Sequence, residues 1–327
     1  MGKIRLGVIG LGSISKSMLL LCKVTKGIRV TGICDIDQKK LDQQSKKFVK
    51  AKKYTDYRQL IRDDNVDCVY IALPHYLHYE VMMEAVKNKK HIFCEKPVTI
   101  NSEQAKRLLT TAEANGVKIA VNYQYRYDNN CYTAIKAIQN GVIGKVNYVR
   151  CYVAWSRNDS YFQLAPWHGD KYKSGGGTLL THGSHFLDII LWATDSRLDF
   201  FSVINRNYKF KYSQVEDFNA FQGVLSNGTV IQFSSNMTEK KERTSVLEFV
   251  GDKGSIVYKK GFGSNVKFYG VKYKRLKSGK FSLHPVQRSL KGFIDWLNHG
   301  NRHLCAGFES VRVLEEIEKI YKEGEKK

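Results

Sequence analysis

The run Lys3-Ile4-Arg5-Leu6-Gly7-Val8-Ile9-Gly10-Leu11-Gly12-Ser13-Ile14-Ser15, followed after a mixed apolar segment by Arg29-Val30-Thr31-Gly32-Ile33-Cys34-Asp35, decides the fold. An apolar, β-rich stretch ends in glycines, a helix-compatible segment follows, and a second β-rich stretch ends in an acid. That order matches the first βαβ unit of a sheet that binds a dinucleotide. Gly10 permits a tight turn. Gly12 offers no side chain to obstruct a pyrophosphate, and a helix opening at Ser13 and Ile14 turns N–H groups and a positive dipole end toward phosphates. Asp35 stands about 20 residues beyond the third motif position, where a carboxylate accepts from both ribose hydroxyls and repels a 2′-phosphate. The pattern therefore favours NAD over NADP. Its third glycine is replaced by Ser15, whose small side chain leaves room for close helix–strand packing.

Outward from this unit, the α/β alternation continues. Helices are expected over Lys16–Lys26, Asp37–Lys50 and Tyr57–Arg62. Asp67–Leu73 reads as a strand buried on both faces. Tyr79–Lys87 is helical, His91–Cys94 a short strand, and Ser102 caps a helix through Asn115. Lys118–Val121 is a further strand. After a helix at Asn130–Gln139 the pattern changes. Long alternating strands follow at Val146–Ala154, Leu198–Lys209, Asp217–Leu225, Thr229–Met237, Thr244–Val250, Gly254–Tyr258 and Asn265–Tyr269, with hairpin signals at Asn227-Gly228 and Asp252-Lys253-Gly254. Helices at Leu179–Thr194, Pro285–Asn298 and Ala306–Glu323 complete the pattern. The fold class is α/β: a Rossmann domain over residues 1–122, then an α+β domain over residues 123–327 with a large, mainly antiparallel sheet. The second domain is expected to supply substrate contacts.

The chain has 327 residues, 43% of them hydrophobic, and a formal charge of +22. No run of 18 apolar residues suggests a membrane span, and the N-terminus enters the glycine motif without a signal-peptide core. The seven cysteines form no CxxC pair, which suits reduced thiols in a cytoplasmic protein. The lysines are dispersed over many segments. That reads as a solvated face that attracts anionic ligands, with no nucleic-acid arm.

Two further motifs carry chemistry. Glu95-Lys96-Pro97 follows a predicted strand, and Pro97 restricts Lys96 toward extended geometry. A lysine so placed can donate to a substrate oxygen or exchange a proton with it. Gly175-Gly176-Gly177 precedes a helix start that carries Thr181, His182, His185 and Asp188. Thr181 and His185, four apart, are expected on one face, with His182 near them. An uncharged imidazole there could take a hydroxyl proton as hydride leaves the same carbon. The spacing lacks a metal-binding pattern, so no metal is expected. Tyr123 and Arg126, then Trp155, Arg157, Tyr161 and Trp167, mix aromatic and cationic groups suited to a hydroxyl-rich ring or a nucleotide, with Arg126 and Arg157 as anion clamps.

The glycine loop, the Ala72-Leu73-Pro74…His78 segment, Glu95-Lys96-Pro97 and the Gly175–Asp188 stretch together resemble the Gfo/Idh/MocA oxidoreductase family over nearly the whole chain. The resemblance implies an NAD-dependent sugar or nucleotide-sugar dehydrogenase that forms a homo-oligomer, dimer or tetramer. Lys96 and His185 match the family's active-site lysine and histidine. Leu73, Pro74, His78, Glu95 and Lys96 fall on its cofactor side. Tyr123, Arg126, Arg157, Tyr161, Trp167, Thr181, His182 and His185 fall on its substrate side. Where the family often has an aspartate four residues before the histidine, this chain has Thr181, which can position a group but carries no counter-charge. The Trp155…Trp167 run looks like members that oxidise the 3-hydroxyl of a UDP-linked N-acetylhexosaminuronate. Free or phosphorylated sugars and inositols, a redox-type glycosidase, and a non-catalytic dinucleotide or sugar sensor stay open as alternatives.

Overall fold

A computed structural model describes residues 2–241, 243–278 and 284–326. The chain divides into two units, Met1–Gln124 with Gly279–Val311, and Tyr125–Ser278 with Arg312–Lys327.

In the first unit the strands are β1 (Ile4–Ile9), β2 (Ile28–Cys34), β3 (Lys52–Tyr54), β4 (Cys68–Ile71), β5 (His91–Cys94) and β6 (Ile119–Val121). They form one sheet in the order β3-β2-β1-β4-β5-β6. Every pairing is parallel. All four β4 residues are buried, as expected of a strand with helices on both faces. The order reverses between β1 and β4, so the turns that leave their carboxyl ends flank the crevice where such sheets bind ligands.

The C-terminal segment corrects the expected division at residue 122. The helix Pro285–His299 belongs with the first unit, not the second. Its Leu290, Phe293 and Ile294 pack into the core formed by Val8, Met18 and Tyr70. Phe293 stacks on Phe93 at 5.4 Å, and Lys118 donates to the Trp296 carbonyl at 2.7 Å. Ala306 bridges Ala120 beside β6.

The second unit carries β7 (Val146–Ala154), β8 (Leu198–Arg206), β9 (Phe218–Leu225), β10 (Val230–Asn236), β11 (Ser245–Gly251), β12 (Ser255–Lys260) and β13 (Ser264–Tyr269). Their order is β13-β12-β11-β7-β10-β9-β8. All pairings are antiparallel except β7 with β10. The helices Asn129–Gln139 and Ser184–Thr194 pack against each other and against this sheet. Among the described residues, no helix is long and apolar enough to cross a membrane. All seven cysteines are buried thiols.

Several element ends differ from expectation for local reasons. Asn101, not Ser102, caps the helix Ser102–Ala114, accepting from the Gln104 N–H at 2.9 Å. β8 ends at Arg206 instead of running to Lys209. The Asp217 carboxylate accepts the N–H groups of Tyr208, Lys209 and Phe210 at 2.9, 2.7 and 2.9 Å, which draws that backbone out of the ladder. The helix expected over Leu179–Thr194 begins as a π-turn, Leu179–Gly183, and becomes α-helical from Ser184.

Candidate active site

In the first unit, Gly10 closes the turn after β1 with φ +88°, and a Cβ there would lie 2.3 Å from the Ala72 carbonyl oxygen. The close approach of two backbones demands glycine. At Gly12 a Cβ would meet nothing within 4 Å. Gly12 is also the N-cap of the helix Ser13–Val24, with no side-chain cap and no acidic residue in the first turn. Uncapped N–H groups beside open space suit a pyrophosphate. Ser15 is fully buried, and its hydroxyl donates to the Gly10 carbonyl. The missing third glycine is thus absorbed by a hydrogen bond within the turn. Asp35 accepts from Leu11 N–H at 2.7 Å and Asp37 N–H at 2.9 Å. A carboxylate has about four acceptor positions, so two remain for ribose hydroxyls. These residues fit a dinucleotide.

The turns after β4 and β5 are tied together by His78. Its Nδ1 lies 2.8 Å from the Pro97 carbonyl oxygen and its Nε2 3.0 Å from that of Leu73. Burial pushes this imidazole's pKa down, and the two carbonyls oppose the shift. Glu95 is buried, accepting from Tyr70 Oη at 2.7 Å and Asn122 Nδ2 at 2.8 Å. Burial pushes its carboxyl up, with both hydrogen bonds and the charge of Lys96 pulling it down. Lys96 is half-buried, and its bond to Pro97 is cis. His78 and Glu95 therefore underpin the Lys96 turn from two sides. Tyr123 lies just past β6 and is buried.

In the second unit, two of the three consecutive glycines are required by packing against protein groups. A Cβ on Gly177 would lie 1.9 Å from the Glu216 carbonyl oxygen, and one on Gly176 would strike the Tyr321 hydroxyl at 2.3 Å. The buried Glu216 carboxylate accepts from Gly177 N–H and Leu179 N–H, each at 3.0 Å, and from Tyr321 Oη at 2.9 Å. Burial raises its carboxyl to about 7. Glu216 and Tyr321 hold the start of the π-turn, yet neither carried a sequence signal. Glu216 is an acid in a polar loop, and Tyr321 is one of many tyrosines.

Thr181 contacts His182, with Oγ1 3.0 Å from Nδ1. His185 stacks on Tyr125 at 4.8 Å and 29°. The His182 ring packs 4.7 Å from Trp155. The Arg157 guanidinium lies over Trp155 at 4.8 Å and Tyr161 at 5.2 Å. Tyr161 also stacks on His168 at 4.1 Å, and Trp167 lies 3.8 Å from the same ring. Arg157, Tyr161, Thr181 and His182 thus form one cluster.

Arg126 differs from its expected use as an anion clamp. It is 4% exposed, and its Nε and Nη2 donate to the two Asp188 oxygens at 2.8 and 2.7 Å. Trp192 covers the guanidinium at 4.6 Å. This buried, bidentate pair engages the charge that a substrate anion would need.

Comparison with known proteins agrees with both units. Residues 4–123 match the NAD-binding Rossmann fold of the GFO/IDH/MocA oxidoreductase family, and residues 132–257 match the C-terminal domain of the same family. Myo-inositol 2-dehydrogenase of Thermotoga maritima is 32% identical over 146 residues, 45% of this chain and 44% of that enzyme. The match therefore spans less than half of that relative's length. Glucose-6-phosphate 3-dehydrogenase of Bacillus subtilis is 26% identical over 269 residues, 79% of this chain and 75% of that protein. The WlbA dehydrogenase of Bordetella pertussis, crystallised with NADH and UDP-GlcNAcA, shares the fold with a TM-score of 0.88 and 21% identity, over 99% of this chain and 97% of that one. With an NAD-binding Rossmann half and the matching C-terminal half, this chain belongs to the Gfo/Idh/MocA oxidoreductase family.

Proposed function

We propose that the protein is an NAD-dependent dehydrogenase of a secondary hydroxyl on a sugar, with Lys96 and His185 as its proton-handling residues. The observation that carries this reading is the match of both halves to one oxidoreductase family, with a glycine turn and Asp35 that fit the dinucleotide. The bound dinucleotide supplies the acceptor for the hydride of the carbinol carbon. His185 takes the hydroxyl proton, its ring oriented by the Tyr125 stack. Lys96 donates to a substrate oxygen. Its turn is fixed by the Glu95 and His78 contacts, so the ammonium is positioned by rigid backbone.

For the substrate, we propose the 3-hydroxyl of a UDP-linked N-acetylhexosaminuronate. The structural neighbour crystallised with UDP-GlcNAcA supports this. So does the half-buried cluster of Trp155, Arg157 and Tyr161, which offers flat faces and a cation. The glucose-6-phosphate relative favours a phosphorylated sugar as the second reading.

The test is NADH formation, followed by absorbance, with UDP-linked hexosaminuronates, glucose 6-phosphate, free hexoses and inositols. The expected result is turnover on the nucleotide sugar. Lys96→Ala and His185→Ala should retain NADH binding and lose about 100-fold or more in kcat. Wild-type turnover in either variant would remove that residue from the mechanism.

A further inference from the structure

Two adjacent buried acids, Glu216 and Asp217, stand just before β9 and hold different parts of the candidate site. A carboxylate has two acceptor oxygens, so it can gather several N–H and O–H groups at once, and burial makes those bonds obligatory. Glu216 gathers the start of the π-turn. Its carboxylate takes the Gly177 and Leu179 N–H groups and the Tyr321 hydroxyl, and its carbonyl accepts from the Thr178 N–H at 2.9 Å. Three successive amides are thus fixed where a helical segment leaves its first N–H groups without partners inside it. The next bond runs into the turn, for the Gly177 carbonyl accepts from the Thr181 N–H at 2.9 Å. His185 follows as the second residue of the helix Ser184–Thr194.

Asp217 gathers the loop after β8. It takes the N–H groups of Tyr208, Lys209 and Phe210, and its carbonyl accepts from the Met237 N–H at 3.0 Å. The same residues hold the segment that carries Arg157. Lys209 Nζ donates to the Arg157 carbonyl, and the Met237 carbonyl accepts from the Arg157 N–H at 3.0 Å. Phe210 packs on Phe162 at 4.8 Å, and Tyr212 Oη donates to Asp159 at 2.7 Å. Both backbone polar groups of Arg157 are therefore held by residues that Asp217 itself binds. None of the donors to one of these two carboxylates donates to the other.

We propose that the two acids position the two halves of the candidate site separately, Asp217 setting Arg157 for substrate binding and Glu216 setting the turn that leads to His185 for proton transfer. The kinetic consequence rests on the dehydrogenase reading above; the division of the anchors does not. Asp217→Asn and Glu216→Gln each leave one acceptor oxygen where two are in use, so each loosens its own segment without changing its size. A displaced Arg157 weakens substrate binding, whereas a displaced His185 slows the step in which the proton leaves.

The test uses the full chain at mildly alkaline pH, where Glu216 is ionised in the wild type. Hydrogen exchange followed by mass spectrometry reads the anchors. Asp217→Asn should speed exchange over residues 157–163 and 208–210 and leave 177–185 as in the wild type. Glu216→Gln should do the reverse. In NADH formation, Asp217→Asn should raise KM for the carbinol about tenfold with kcat little changed. Glu216→Gln should lower kcat about 10- to 100-fold with KM little changed. Lys209→Met and Tyr321→Phe, which each remove one side-chain bond from the same two sets, should give the same split more weakly. Faster exchange over both segments in either acid variant would overturn the proposal. So would a matching fall in kcat and rise in KM in both. A protein that oxidises none of the carbinols while exchange divides as expected would overturn the dehydrogenase reading and the kinetic assignment, leaving Glu216 and Asp217 as two independent anchors.

Discussion

Glu216→Gln separates the anchoring of the π-turn from every other titrating group by its dependence on pH. The Glu216 carboxyl is raised by burial from the usual 4.5 to about 7. In the window between those values the native protein keeps a proton that the unfolded chain has released. Stability therefore falls as pH rises through the window and is level above it. A shift of about 2.5 pKa units at about 1.36 kcal/mol each makes the total loss about 3 kcal/mol, of which about 2–3 falls between pH 5 and 8. Glutamine removes this titration. Its amide oxygen can take the Leu179 N–H and the Tyr321 hydroxyl, but its NH₂ then faces the Gly177 N–H, whose present acceptor is 3.0 Å away. Two buried donors opposed cost about 1–3 kcal/mol. The variant should thus be less stable than wild type by that amount at pH 5, and the gap should close by about 2–3 kcal/mol at pH 8. Chemical denaturation of both proteins at half-unit pH steps measures this. Parallel stability curves for the two would refute the buried, proton-holding carboxylate.

Asp188→Asn should destabilise the protein by about 3–5 kcal/mol, because it strands the buried Arg126 guanidinium. A denaturation midpoint within experimental error of wild type would contradict that pairing, whereas the double change Arg126→Met with Asp188→Leu should recover most of the loss. Asp35→Ala should weaken NADH binding about 10- to 100-fold and narrow the preference over NADPH, since it removes charged hydrogen bonds to the ribose and frees the Leu11 and Asp37 N–H groups. Titration of both cofactors by fluorescence checks this, and an unchanged ratio of their affinities would dismiss the ribose role.

What the sequence made legible was local. The turn from β1 to the first helix is coded by Gly10, because a positive φ and a close backbone approach leave few residue types available there. The strand β4 is coded by an unbroken apolar run, although Asp67–Leu73 overstates it; the ladder to β1 extends only from Cys68 to Ile71. The helix Pro285–His299 was equally visible as a helix. Its membership was not, since an amphipathic face specifies that something covers it and not which sheet does.

The second half of the candidate site shows what spacing alone leaves out. Thr181 and His185 would share a face if the segment were α-helical from its start. The segment opens instead as a π-turn over Leu179–Gly183, which closes one residue later than an α-turn, and within it Thr181 Oγ1 lies 3.0 Å from His182 Nδ1. The backbone groups at the start of that turn are held from far along the chain. Glu216 takes the N–H groups of Gly177 and Leu179, and Tyr321 holds the carboxylate in turn. Thr181 is a weak substitute for an aspartate when judged by its charge, because it supplies none. Judged by its bonds it still ties the turn together: its hydroxyl donates to the Gly177 carbonyl at 2.7 Å and lies 3.0 Å from His182 Nδ1.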